Sequence, residues 1–248
     1  MLSDVWTMAW KECRELLLAG GSQRQAVVRF LLLPAVWGIY LPAQTGRAWV
    51  TQPESLLNYG LLPAFLVVGL VADCFAGERE RHTLETLLAS RLPDRAILLG
   101  KVAAVAGYAW GATLLTLALA LAVVNVVHGH GQLLMYAPGM ALAAVALSLV
   151  EAVLATSAGV LVSLRAATVR QAQQTLTFGF IGLSLLLLAP FLLLRSLPVA
   201  WQSRLEQVAA ATTPAQAVLG ALGAMLALAA GLLAGAMARF RRARLILE

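Results

Sequence analysis

The chain has 248 residues, of which 60% are hydrophobic and only 12% are charged. A soluble globular domain is about half apolar and roughly one quarter charged, so this composition excludes a soluble enzyme and indicates a membrane protein. The net charge of +6 would favour nucleic acid only if the basic residues formed one patch; they lie instead in short groups along the chain, and we expect no nucleic-acid partner.

The first predicted element is an amphipathic helix within residues 1–21. Trp6 and Trp10 recur at helical spacing on one face, while Lys11 and Glu15 lie on the other. A helix of this kind lies in the membrane interface with its apolar side towards the lipid. The sequence therefore predicts an interfacial helix that contacts membrane lipid before the chain first crosses the bilayer.

Six stretches are long and apolar enough to cross a hydrocarbon core of about 30 Å as helices. In chain order they are approximately Ala26–Ala43, Leu56–Ala76, Ile97–Val127, Ala137–Leu164, Leu176–Leu194 and Ala215–Ala238. The predicted fold class is therefore all-α: a polytopic membrane protein with six transmembrane helices that form a single transmembrane domain over residues 1–248.

Lys and Arg residues fall almost entirely on one side of these six spans. Of the 18 such residues, only Arg47, Arg195 and Arg204 lie in the loops on the other side. Short cytoplasmic loops retain positive residues and translocated loops do not, so both termini are expected in the cytoplasm of a multi-pass plasma (inner) membrane protein. The basic C-terminal sequence that begins at Arg239 would then anchor the chain at the lipid surface.

The predicted outer side has two features. Residues 195–214 should form an extracytoplasmic helical loop on the membrane surface, because Trp201 and Leu205 lie on one helical face. His128 and His130 occur in a glycine-rich turn without Cys, Asp or Glu nearby. We therefore expect no metal site there.

The cytoplasmic loop of residues 77–96, between the second and third spans, is rich in charge. Its leucines recur at helical spacing on one face, and three charged residues share another face, where they can pair along the helix. These charged residues are Glu78, Arg81 and Glu85. We expect the helix to continue past the second span and to stop before Pro93, where Asp94 would cap the third span.

Several residues in and near this loop occur in a recognisable order. They are Glu78 and Glu80, Thr83-Leu84-Glu85, Leu87-Leu88, Pro93 and Gly100-Lys101. In this order after a second span they resemble the membrane-spanning permeases of ABC transporters of the ABC-2 type. Trp10-Lys11-Glu12 and Arg14-Glu15-Leu16 are similar to the interfacial helix of that family, while His82 replaces the small residue that often precedes the Thr.

The resemblance implies a permease subunit of an ATP-driven ABC exporter. Family members form the translocation path as a dimer, and a separate ATPase subunit drives them. A homodimer is the first expectation, and a heterodimer stays open. The resemblance also implies that a cytoplasmic coupling helix in the loop sits in a cleft of the ATPase. Its contact residues would be Glu78, Arg81, Thr83, Glu85, Leu88 and Arg91.

The chain contains no recognisable nucleotide-binding motif. Lys11 and Lys101 are its only Lys residues, and neither follows the glycine pattern of a P-loop. ATP and Mg are therefore expected on the partner subunit. For this chain itself we expect no enzyme activity, no catalytic residue and no cofactor.

Glu151 is predicted near the centre of the bilayer, about 20 Å from either end of the fourth span. A charged carboxylate there costs at least a few kcal/mol unless it is protonated, paired or facing water. Its helical face also carries Ala144, Ser148, Ala155 and Gly159, small residues that admit a neighbouring helix. Two roles for Glu151 and Ser148 stay open: helix packing through a hydrogen bond, or lining the translocation path.

Two other functions are alternatives. A secondary transporter is disfavoured by the single intramembrane carboxylate and by the lack of a clear inverted repeat. An intramembrane hydrolase would need a base beside Ser157, but His82, His128 and His130 all fall in predicted loops. A path lined by Ala, Leu, Val and Gly favours an amphipathic or apolar substrate.

Overall fold

The structure is a computed structural model that describes residues 1–18, 32–53, 55–83, 85, 87, 89–193, 202–203 and 213–240. Regular secondary structure within these ranges is helical, and no described residue forms a strand. The predicted all-α fold class is therefore confirmed for the described part of the chain.

The described helices occur in the following order along the chain. The α-helices are α1 (Leu2–Leu18), α2 (Leu41–Thr45), α3 (Ala48–Thr51), α4 (Ser55–Ala72), α5 (Glu78–Glu80), α6 (Asp94–His128), α7 (Pro138–Ser163), α8 (Val169–Leu193) and α9 (Pro214–Arg239). Two π-helical turns, Val36–Tyr40 and Asp73–Gly77, precede α2 and α5.

Four helical stretches among the described residues are long and apolar enough to cross a membrane. They are Asn58–Glu80, Asp94–His128, Pro138–Ser163 and Ala215–Arg239, and they coincide with the second, third, fourth and sixth predicted spans. The first and fifth predicted spans fall partly outside the described residues, so the count of six stays a prediction. The outer helix expected within residues 195–214 also lies almost entirely outside the described ranges.

Helix α4 lies at the centre of the bundle, where it packs against α6, α7 and α8. Its residues Leu62, Val67 and Val71 are fully buried. A methyl group added at Gly159 of α7 would overlap the Val71 side chain, so a glycine is needed for this close approach. The prediction that small residues on this face of α7 admit a neighbouring helix is confirmed at Gly159.

We expected one continuous helix from the second span to the residue before Pro93, but the structure shows a break. Helix α5 ends at Glu80, and His82 adopts a φ of 56°. This left-handed conformation cannot continue a right-handed α-helix, so the chain turns at His82. The expected cap at Asp94 is also wrong: Pro93 occupies the N-cap position of α6, and Asp94 is the first helical residue.

A separate helical turn follows His82. The amide of Leu87 donates to the carbonyl oxygen of Thr83 at 3.0 Å, and the amide of Ala89 donates to that of Glu85 at 2.9 Å. The break at His82 separates this turn from α5. Glu85 therefore does not share a continuous helix face with the charged residues of α5, which corrects the pattern that we expected from spacing alone.

Candidate functional site

Three charged side chains from distant parts of the sequence meet at one end of the bundle. Lys101 Nζ of α6 lies 2.8 Å from Glu12 Oε1 of α1 and 2.9 Å from Glu78 Oε1 of α5. The exposed fraction of the side chain is 1% for Lys101, 8% for Glu12 and 12% for Glu78. We call these three residues the ion cluster.

Aromatic and apolar groups surround the ion cluster. Lys101 Nζ lies 5.3 Å from the centre of the Phe75 ring, which is within the range of a cation–π interaction. Because water is largely excluded, the charges attract one another more strongly than they would at the surface. Two carboxylates share one ammonium group, and Glu78 Oε2 is buried without a hydrogen-bond partner among the described groups. Loss of the ammonium would therefore leave two uncompensated buried charges.

The position of α1 explains how Glu12 reaches Lys101. Met8 is 1% exposed and packs against Gly100, the first residue of the Gly-Lys pair. A Cβ atom at Gly100 would lie 2.6 Å from Met8 Cβ, so a side chain there would displace α1. Gly100 thus lets α1 lie close to the surface of α6. Lys101, the next residue, binds Glu12 of α1.

The opposite side of α1 is not covered by the described protein. Trp6 and Trp10 are 71% and 65% exposed. Cys13 is half-buried, and burial, together with the nearby Glu12 carboxylate, raises the pKa of its thiol. The helix therefore has a side that packs on the bundle and a side whose indole rings are free to contact other molecules.

Ser163, the last residue of α7, is hydrogen-bonded to the π-helical turn that precedes α5. Its hydroxyl accepts from the amides of Phe75 and Ala76, at 3.2 and 3.1 Å, and donates to the carbonyl oxygen of Ala72 at 3.0 Å. The wider π turn interrupts the regular α-helical ladder, and the Ser163 hydroxyl satisfies backbone groups at this position. The end of α7 is thereby fixed to the end of α4.

The other two residues of α5 contact the connection between α7 and α8. The Arg79 guanidinium donates to the carbonyl oxygen of Ala166, and to that of Leu164 at 3.1 Å. Glu80 Oε1 accepts from the amide of Val169, the first residue of α8, at 2.8 Å. With Glu78 bound to Lys101, the three residues of α5 hold it both to α6 and to the connection between α7 and α8.

Most of the predicted coupling residues lie in the loop between α5 and α6, which we call the exposed loop, rather than in the ion cluster. Thr83, Glu85 and Arg91 are exposed, and Thr83 Oγ1 donates to the Glu78 carbonyl oxygen at 3.3 Å. Arg81 is also exposed and forms an ion pair with Asp73, with 2.9 Å between Nη2 and Oδ1. Leu88 lies outside the described residues.

Glu151 and Ser148 occupy the middle of α7. Ser148 is fully buried, and its hydroxyl donates to the carbonyl oxygen of Val145 within the same helix at 3.0 Å. Glu151 is half-buried, and no described group forms a hydrogen bond or ion pair with its carboxylate. The interhelical hydrogen bond considered for Glu151 is therefore not found among the described residues, and a role in a path stays open.

The structure also locates the groups that a hydrolase would need. Ser157 is fully buried, and its hydroxyl donates to the Val153 carbonyl oxygen at 2.7 Å. His82 lies in the exposed loop, whereas His128 and His130 lie at the opposite end of α6. None of the three is placed beside Ser157 to act as a base.

Aromatic hydroxyl groups hold the end of the bundle opposite the ion cluster. Trp49 Nε1 donates to the Tyr59 hydroxyl, which lies 2.7 Å from the Tyr136 hydroxyl. Burial raises the pKa of Tyr136, so its hydroxyl stays protonated at neutral pH. In the connection beside it, the Asn125 side chain accepts from the Leu134 amide at 2.7 Å and donates to its carbonyl oxygen at 2.9 Å.

Sequence spacing did not identify all of these residues. Glu12 and Lys101 were each part of the family resemblance, but nothing in the local pattern indicates that they bind one another. The sequence signal that could have been used is the presence of Lys101 inside a long apolar stretch, where an unpaired ammonium group is costly. Ser163 gave no signal, because a serine in a helix commonly bonds only to a carbonyl oxygen of its own helix.

Comparison with family models found no match, and comparison with curated proteins found none either. Among the described residues there is also no group of three or more His, Cys, Asp and Glu side chains that could hold a metal ion. The function of the chain is therefore inferred from its motifs and from the geometry of the ion cluster and the adjacent loop.

Proposed function

We propose that this chain is the permease subunit of an ATP-driven ABC exporter of the ABC-2 type, driven by separate ATP-binding subunits. The observation that carries the proposal is the ion cluster, in which Lys101 binds both Glu12 and Glu78. These residues belong to three of the sequence motifs that resemble the family. Their contact joins the N-terminal helix to both helices that flank the exposed loop.

The exposed loop suits a contact with a cytoplasmic ATPase. Thr83, Glu85 and Arg91 present a hydroxyl, a carboxylate and a guanidinium to solvent, and Leu88 would add an apolar contact. A displacement of this loop would act on α5 and α6 together, because Glu78 and Lys101 hold them to each other. Buried ion pairs resist separation, since each charge would lose its partner in a medium of low dielectric.

The proposed function also accounts for the placement of α1. In our proposal α1 lies in the cytoplasmic membrane interface, with Trp6 and Trp10 among the lipid headgroups, as aromatic residues at interfaces commonly are. Glu12 attaches it to the ion cluster. Both termini would be cytoplasmic in the plasma (inner) membrane, in agreement with the bias of Lys and Arg residues.

Two copies of the chain are proposed to form the translocation path. Helix α9 supports this, because most of its side chains are not covered by the rest of the described chain. Glu151 supports it as well, because a half-buried carboxylate without a described partner suits a wall that faces water or the second copy. A homodimer is the simplest arrangement, and the partner ATPase subunits would supply ATP and Mg.

Copurification and ATP hydrolysis test the proposal. The chain should copurify from its native membranes with an ATPase subunit, and the reconstituted complex should hydrolyse ATP. Glu85→Arg reverses a charge at the loop surface and should lower the hydrolysis rate or dissociate the ATPase, because like charges brought together at a contact cost several kcal/mol. Glu15→Arg makes the same reversal at an exposed residue of α1 and should change neither. Transport that continues without an ATPase would favour the secondary transporter instead.

A further inference from the structure

A groove of about 510 Å³ opens between α7, α8 and α9, at the same end of the bundle as the ion cluster. Arg165, Arg239 and Gln171 line its polar part, and Leu161 and Leu232 line its apolar part. Arg239 is the last residue of α9, and Leu232 lies seven residues earlier. At 1.5 Å per helical residue, the groove therefore extends about 10 Å from its charged rim along a membrane-spanning helix.

The two arginines of the groove differ from the cations at this end that bind groups of the bundle. Arg79, Arg81 and Lys101 are all hydrogen-bonded to carboxylates or carbonyl oxygens. In the part of the chain that the structure describes, neither Arg165 nor Arg239 forms an ion pair. Two guanidinium groups that face one groove without a carboxylate favour an anionic ligand.

The apolar part of the groove excludes a purely polar ligand. Helix α9 packs mainly on α7, and there is open space where a side chain at Gly231 or Gly235 would lie. A groove on the side of a spanning helix faces the acyl chains of the bilayer, and these fill apolar space that water would not. The ligand must therefore have an anionic end and a hydrocarbon chain.

We propose that this groove binds a phospholipid with an anionic headgroup. The phosphate pairs with Arg165 and Arg239, and the Gln171 amide donates a further hydrogen bond. One acyl chain lies along α9 over Gly231. Basic pockets between transmembrane helices at the cytoplasmic side bind such headgroups in other membrane proteins. The site does not depend on an ATPase partner, so it can be tested whether or not the proposed transport function holds.

Native mass spectrometry of the purified chain tests the charged part, with phosphatidylglycerol as the probe and phosphatidylcholine as the zwitterionic reference. Phosphatidylglycerol should be retained preferentially. The double variant Arg165→Gln/Arg239→Gln should bind it about 30-fold more weakly, the change that corresponds to two lost contacts of about 1 kcal/mol each. The matched double variant Arg95→Gln/Arg170→Gln removes two exposed arginines of the same end and should bind normally. Equal retention of both lipids, or equal weakening in both variants, would overturn the proposal.

A second variant tests the apolar part with the arginines intact. Gly231→Leu fills open space in the groove and should displace the acyl chain, so phosphatidylglycerol is lost. Gly223→Leu, at an open and exposed position of the same helix, should have no effect. Glycerol phosphate, the soluble headgroup alone, should not compete. Full competition by glycerol phosphate would indicate a site for soluble anions. If Gly231→Leu abolished a dimer but kept the lipid, the groove would be a contact between copies. Either result would reject the lipid proposal.

Discussion

The two ends of the helical bundle are held by different chemistry. At one end the ion cluster joins α1, α5 and α6 through buried full charges, with Lys101 between two carboxylates. At the other end the neutral hydroxyl groups of Tyr59 and Tyr136 and the indole of Trp49 form the contacts. A buried charge that loses its partner is penalised far more than a neutral hydroxyl group. The charged end should therefore move as one unit, whereas the aromatic end can separate at lower cost.

The largest effect is expected from Lys101→Met, which leaves the Glu12 and Glu78 carboxylates buried without a cation. The free energy of unfolding should fall by about 3–5 kcal/mol, measured by denaturation in detergent. The neutral triple variant Glu12→Gln/Glu78→Gln/Lys101→Met should recover most of this loss, because it removes all three charges. If Lys101→Met unfolded like the wild type, the cluster would not stabilise this end.

Gly100→Leu should have the next largest effect, because the new side chain collides with Met8 and displaces α1. Overpacking of this kind should cost about 3 kcal/mol. The direct readout is the alkylation rate of Cys13, whose thiol should react faster once α1 leaves α6. Gly107→Leu, at an open position of the same helix, is the control. Unchanged alkylation in Gly100→Leu would show that α1 does not depend on this contact.

A smaller effect is expected from Ser163→Ala, which removes the acceptor for the Phe75 and Ala76 amides. Stability should fall by about 2 kcal/mol, since buried amides would lack a partner. Ser157→Ala is a matched control in the same helix, because the Ser157 hydroxyl bonds only within α7 and should matter little. Equal stability of the two variants would mean that Ser163 does not fix the π-helical turn.

The smallest effect is expected at the aromatic end. Tyr136→Phe removes one hydroxyl but leaves the contact between Trp49 and Tyr59, so stability should fall by only about 1 kcal/mol. Tyr40→Phe alters an exposed tyrosine and should leave stability unchanged. A loss at Tyr136 as large as that of Lys101→Met would remove the contrast between the two ends.

Local patterns in the sequence predicted the parts of the fold that depend on local physics. The length and apolarity of α6 and α7 identified them as spans, and the small residues around Glu151 indicated a packed face. The bond between Glu12 and Lys101 could not be predicted, because residues 89 positions apart share no periodic signal. Nor does helical spacing show the left-handed conformation of His82, which breaks the expected coupling helix.

In the proposed transporter the ion cluster joins the exposed loop to the spanning helices, so that an ATPase can move the aromatic end. Spin labels attached to a His130→Cys variant in both copies of the proposed dimer report that movement without knowledge of the substrate, in a Cys13→Ser background. In the reconstituted complex with the ATPase, ATP should change the distance between the labels. The neutral triple variant should fold and hydrolyse ATP without that change. The same ATP-dependent change in the triple variant and the wild type would contradict the account.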